Sequence, residues 1–294
     1  MSMLPPDCST TPLRALAALA AISVMAPAVA GQFVSGVNIV EVYATVTAAD
    51  GTPVTDLVAG DFEVREEGVR QTVSIFTASE FPVAVALAFD HSASMAGRRL
   101  DLARKAAGSF LGALGAGDRA TVIGVANEVE TLAPLSTDRA PALAALASME
   151  PWSTTRLHDA IIRAIDLIEP AGGRRALVLL SDGVDRGSKA SAAEALDRAR
   201  RADVLIYPVA LGASRPPLFA SLAVLTGGRS FEIEDPKKIE PALTSIATEL
   251  RTQYLLGYVP SRALAGVGEE WRSIEVTVSR PELRVRARTG YFVR

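Results

Sequence analysis

Asp90, Ser92 and Ser94 alternate in the run AVALAFDHSASM, from Ala84 to Met95. A carboxylate and two hydroxyls at every second position can turn toward one point where a strand bends into a helix. Two other segments offer donors of the same kind. Ser153-Thr154-Thr155-Arg156-Leu157-His158-Asp159 opens a helix, and Leu179-Leu180-Ser181-Asp182-Gly183 ends an apolar strand in a carboxylate. Oxygen donors of this sort suit a hard cation such as Mg²⁺, Ca²⁺ or Mn²⁺.

Plainer roles compete for the same residues. Ser92 and Ser94 can cap the helix that follows, and Asp182 can brace a turn. His158 and Asp159 read as packing and first-turn charge. Catalysis is a further possibility, because Asp90, His91 and Ser92 are adjacent; neighbours on a strand point apart, however, so adjacency does not make an orienting pair. The G-x-S-x-G elbow, the P-loop and G-x-G-x-x-G are all absent from the sequence. An aspartyl-nucleophile phosphatase would want a carboxylate where Ser92 stands, and two histidines cannot build a His-rich zinc site. A metal-dependent hydrolase using Asp90 or His91 is the second reading, and a structural envelope component the third.

The elements that must hold these groups follow from patterning. Val83–Phe89 is long and apolar enough for a strand buried on both faces, so Asp90 falls where it leaves the sheet. Four more apolar runs, 120–126, 176–180, 204–211 and 230–233, alternate with helical segments at 98–114, 140–149, 157–168, 190–201, 217–225 and 236–250. That alternation predicts an α/β fold with a doubly wound, mainly parallel sheet over residues 82–252. Ligands bind such sheets beyond the carboxyl ends of the strands.

On either side the pattern is β. Residues 38–47, 54–57, 62–65 and 71–76 read as short strands, and so do the segments beginning at Thr252, Arg272 and Arg284. Neither flank makes a sheet alone, so 31–81 and 253–294 are expected to pack together as a small β sandwich around the insert. Arg284, Arg286 and Arg288 alternate with Val285 and Ala287 as the wet face of a strand would. Arg14, the apolar run 15–26 and Ala28-Val29-Ala30 have the order of a secretory signal, giving a signal peptide over 1–30 and no stable membrane span after cleavage. Cys8 is the only cysteine and would be removed with it. A net charge of -3 with dispersed arginines gives no case for nucleic acid.

Asp90-x-Ser92-x-Ser94, a threonine just before Leu157-His158-Asp159-Ala160, and Ser181-Asp182-Gly183 after an apolar strand together resemble the metal-ion-dependent adhesion site of von Willebrand factor type A domains. The resemblance covers about Pro82 to Leu250. The flanks LVAGDFEVREEGVRQTVSIF and YLLGYVPS to RARTGYFVR resemble the arrangement in a bacterial secreted family related to that domain. The resemblance implies that Ser92 and Ser94 coordinate a divalent cation directly, while Asp90 and Asp182 act through water or hydrogen bonds. Thr155 takes the family's threonine position, with Thr154 as the alternative, and His91 fills a variable one. It implies Mg²⁺ first, with Ca²⁺ or Mn²⁺ as alternatives, and a protein partner whose carboxylate completes the coordination. The expected protein is then a non-enzymatic adhesion-type module, exported to a periplasm, cell surface or medium.

Overall fold

The computed structural model describes residues 39–78, 80–152, 154–212, 216–262 and 269–293. The expected signal peptide, Cys8 and most of the loop at 263–270 lie outside them. The chain opens with β1 (Val40–Thr47), β2 (Phe62–Glu66), β3 (Val69–Gln71) and β4 (Val73–Thr77). Next come β5 (Val83–Asp90), α1 (Arg98–Ala113), β6 (Arg119–Val125), β7 (Val129–Ser136), α2 (Ala140–Ala147) and α3 (Leu157–Ile168). They are followed by β8 (Arg174–Ser181), α4 (Ala192–Arg201), β9 (Leu205–Ala210), α5 (Pro217–Thr226), β10 (Phe231–Glu232) and α6 (Ile239–Arg251). The last strands are β11 (Tyr254–Tyr258), β12 (Glu270–Val278), β13 (Arg284–Arg286) and β14 (Gly290–Val293).

The central sheet has the order β10-β9-β8-β5-β6-β7 and is parallel except for β7. Every residue of β5 is buried, as its unbroken apolar run requires. Val85, Leu87 and Phe89 pack toward α1, α2 and α6, while Ala86 and Ala88 face α3, α4 and α5. The doubly wound sheet expected from the alternation is therefore the one observed, and β5 stands inside it. Among the described residues no helix is long and apolar enough to cross a membrane.

Two departures from the sequence reading have local causes. Strand β7 was not expected, because Pro134 breaks its alternation. At the sheet edge the missing N–H is tolerated, and the β6–β7 register slips at two places. Residues 54–57 form no strand: Pro53 makes a single bridge to Thr47, and Leu57 is buried with its N–H on the Tyr254 hydroxyl at 3.2 Å.

The remaining strands make two antiparallel sheets, β13-β1-β11-β4 and β14-β12-β2-β3. Val42, Val46, Phe62, Val64, Tyr254, Leu256, Tyr258 and Ile274 form one core between them. Strands from both ends of the chain are neighbours in each sheet, with Val40 opposite Tyr258 and Val64 opposite Val276. Inside this sandwich Arg272 pairs with Glu66 at 3.1 Å, and Glu66 also accepts the hydroxyls of Tyr258 and Tyr291 at 2.7 and 2.9 Å. Burial, and then the bond to Glu66, push the Tyr291 hydroxyl up to about 12. The wet-face reading of the arginines holds for exposed Arg284 and fails for the other two. Arg286 pairs with Glu249 of α6 at 2.6 Å, and Arg288 with Asp203 at 3.0 Å.

Candidate metal centre

Asp90 ends β5 with no solvent exposure. Its Oδ1 accepts the Ser92 N–H at 2.9 Å, and its Oδ2 accepts the Ser181 hydroxyl at 2.5 Å, so one carboxylate ties the β5 loop to the β8 loop. Burial pushes the Asp90 carboxyl above its ordinary range in spite of these bonds, and Asp182 adds to the rise. Arg99 reaches this turn but bonds the Ser94 carbonyl, at 3.3 Å.

The two serines lie where the short 3-10 turn Ala93–Met95 begins. Ser92 occupies its N-cap position without a side-chain capping bond, and the N-cap of α1 is Gly97, which has no side chain to offer. Instead the Ser92 hydroxyl is 3.0 Å from that of Ser94, which donates to Asp182 Oδ2 at 2.6 Å. The capping role is thus left undone, and the hydroxyls meet each other and an acid. Asp182 does brace its turn, its Oδ1 accepting the Val184 N–H at 3.0 Å. Gly183 follows at φ +80°, where a Cβ would lie 2.1 Å from the Pro216 ring.

Thr155 is carried by a loop stitched to three strand ends. Trp152 N–H donates to His91 O at 2.7 Å beyond β5, and Arg156 N–H to Ala126 O at 2.9 Å beyond β6. Beyond β8, Arg186 N–H donates to Thr155 O at 2.9 Å. Thr155 is 1% exposed, and its Oγ1 has no hydrogen-bond partner among the described residues. A buried polar atom left so costs about 1–3 kcal/mol, which a ligand to that oxygen would offset. Thr154, the alternative, is half-buried with its methyl toward Gly187.

Three residues that hold this edge were not assigned a role from sequence. Ser181 supplies the hydroxyl that Asp90 accepts. Asp185 takes the Leu157 N–H at 2.8 Å and so caps α3 from a different loop, since Arg156 makes no side-chain cap. The Ser188 hydroxyl donates to Asp185 at 2.5 Å and accepts the His158 and Asp159 N–H groups at 3.0 and 3.1 Å. Burial raises the Asp185 carboxyl, but the Ser188 bond, His158 and the helix N–H groups together hold it below the usual range. Ser181 stood in the quoted Ser181-Asp182-Gly183 motif without a role, and the only trace of Asp185 and Ser188 in the sequence is the acid and hydroxyl content of the segment after β8. His158 and Asp159 do the structural work expected of them, bonding the backbone at Lys189 and Ala190.

The structure brings Asp90, Ser92, Ser94, Ser181 and Asp182 into one bonded chain and ties the Thr155 loop beside it. It does not join Asp90 to His91, whose Nδ1 sits 2.7 Å from the Glu150 carbonyl. Among the described residues no group of three or more His, Cys, Asp or Glu side chains could hold a metal. What stands at this edge is a hydroxyl-rich oxygen set, which fits a hard cation and not a thiophilic one.

Residues 85–184 match the family model for the von Willebrand factor type A domain. This segment is a von Willebrand factor type A domain. A von Willebrand factor type A structure from Catenulispora acidiphila is 15% identical over 79% of this chain and 72% of its own, with a TM-score of 0.55. Proximal thread matrix protein 1 from the mussel byssus, with a zinc-occupied MIDAS motif, is 15% identical over 63% of this chain and 49% of its own, with a TM-score of 0.51. The vWF domain of the type V pili tip protein Mfa5 from Porphyromonas gingivalis is 22% identical over 37% of this chain and 40% of its own, with a TM-score of 0.34. The chain therefore spans less than half the length of the pilus-tip and byssus structures. No curated protein matches it in sequence. The likenesses are of fold, and in that fold the sheet edge carrying Asp90 is the carboxyl end of the type A domain's central strand.

Proposed function

We propose that the type A domain, over 82–252, is a divalent-cation-dependent protein-binding module, exported by the segment 1–30 and carried on the β sandwich of 31–81 and 253–294. One observation carries the reading: a fully buried carboxylate, Asp90, held by two hydrogen-bond donors beside a second acid, shares a sheet edge with Thr155, a buried hydroxyl that has no hydrogen-bond partner among the described residues. Ser92, Ser94 and Thr155 would hold the cation through their hydroxyls, with Asp90 and Asp182 orienting them or bonding its waters. Mg²⁺ fits best, because it keeps several waters and can exchange one for an external oxygen; Ca²⁺ and Mn²⁺ are the alternatives. Neutral hydroxyl ligands leave such an ion strongly Lewis acidic toward an incoming carboxylate. A partner's Asp or Glu side chain is therefore the group the site takes. The byssus relative with metal in its MIDAS motif supports this reading.

The reading is of an adhesion-type module, and the metal-dependent hydrolase using Asp90 or His91 is the alternative to it. The test is calorimetric titration of the purified protein with Mg²⁺ and with Mn²⁺, beside Asp90→Ala. The variant should bind about 10–100-fold more weakly, as when a group orienting metal ligands is lost. Equal binding by the two proteins would overturn the site.

A further inference from the structure

We propose that the cleft beside this site holds a lysine or arginine side chain of the same partner segment that presents the carboxylate. The proposal rests on the metal-dependent reading above and extends it to the partner's sequence. The cleft, of about 370 Å³, is lined by His91, Gly124, Glu128, Glu130 and Trp152 among others. Trp152 is 58% exposed, although its backbone is fixed by the bond to His91 O and by a parallel bridge to Ser92. An aromatic face thus stands one backbone pairing away from a candidate metal ligand.

The charges around it have one sign. Glu128 and Glu130 are both exposed and, among the described residues, neither is in an ion pair. His91 has its Nδ1 2.7 Å from the Glu150 carbonyl, which turns the opposite edge of the ring, with Nε2, toward Gly124. That Nε2 lies over Gly124, where a Cβ would come within 3.1 Å of it and 2.9 Å of Leu132 Cδ1. A larger residue at 124 would close the floor of the cleft.

Two unpaired carboxylates and an exposed tryptophan are the complement of a guanidinium or ammonium group. An acidic neighbour in the partner would be repelled, and an apolar one would desolvate the carboxylates without repayment. The segment that fits both places is zwitterionic: an acid for the cation, and a base within reach of Trp152.

Fluorescence anisotropy of the full-length protein with labelled Gly/Ser peptides tests this. One peptide carries a single Asp; the others add an Arg two to five residues away, because the spacing is set by an extended chain of about 3.3 Å per residue. In Mg²⁺ the best Asp-plus-Arg peptide should bind roughly tenfold tighter than Asp alone, the sum of an exposed cation–π contact and two surface ion pairs. Glu128→Gln with Glu130→Gln, on an exposed strand edge, should remove most of that gap and leave the Asp-only peptide unchanged. Chelator separates the two readings. Failure of the metal reading appears as Asp-only binding indifferent to chelator, while an Arg-dependent gain persists. If the Arg gain is missing for every spacing, or survives the double substitution, the cleft proposal is overturned.

Discussion

The sandwich and the type A domain each bury carboxylates, and they treat them differently. In the sandwich Glu66 is answered by Arg272, and Glu249 of α6, in the type A domain, is answered from the sandwich by Arg286, both arginines coming from the C-terminal strands. Asp90 is more deeply enclosed than either, yet is met by two hydrogen-bond donors and a second acid, Asp182. A charge in a low-dielectric interior needs a counter-ion or a raised pKa. Glu66 and Glu249 have their counter-ions in the chain, whereas at the sheet edge the proposed cation would supply one from outside.

Removing the partner should therefore have opposite consequences in the two places. Arg272→Met leaves Glu66 buried and unpaired, and is expected to cost about 3–5 kcal/mol in urea denaturation. A loss under 1 kcal/mol would show that the tyrosine hydroxyls alone suffice there. Asp90→Asn takes away a charge that has no partner, so without metal its stability should stay within about 1 kcal/mol of wild type. Saturating Mg²⁺ should separate the two proteins. At a hundredfold excess over Kd the wild type gains about 2.7 kcal/mol, and the variant should gain little of it. Parallel melting curves with and without metal would break the contrast.

The smallest expected effect sharpens it. Asp185 is a carboxylate of the same edge whose partners, Ser188 and the start of α3, are internal, and its folded pKa lies below the usual 3.8. A depressed acid stabilises fully above its unfolded value and loses that contribution as pH falls through the folded one. Asp185→Asn should flatten the acid limb of the stability profile below about pH 4 and nowhere else. Asp185→Ala should cost about 1 kcal/mol at neutral pH, the loss of a helix cap. An unchanged acid limb in the Asn variant would remove Asp185 from the account.

What could be read from the residues alone follows from the range of the interactions. The run Val83–Asp90 announces a doubly buried strand because both faces must be apolar, and α3 announces itself by Leu157, Ile161, Ile165 and Ile168 along one face. Asp90, Ser92 and Ser94 were visible because two-residue spacing is local. Thr155 was assigned only through resemblance; its unpartnered oxygen is a property of packing. Asp185 capping a helix whose first residue precedes it by 28 positions has no local mark. Arg286 and Arg288 looked solvated for the same reason, since Glu249 and Asp203 are remote in sequence. Strand β7 was hidden by a proline that only an edge position tolerates.

The pairing of β4 with β11 bears on how such a molecule is put together. Thr77, where the chain departs for the type A domain, lies directly opposite Leu255, where it comes back. To the sandwich the whole domain is an excursion between two clasped strands, and closing a loop grows costlier only with the logarithm of its length. The stem can therefore carry a head of almost any size, and whatever tugs on that head loads this seam of backbone hydrogen bonds together with the Arg286–Glu249 and Arg288–Asp203 pairs.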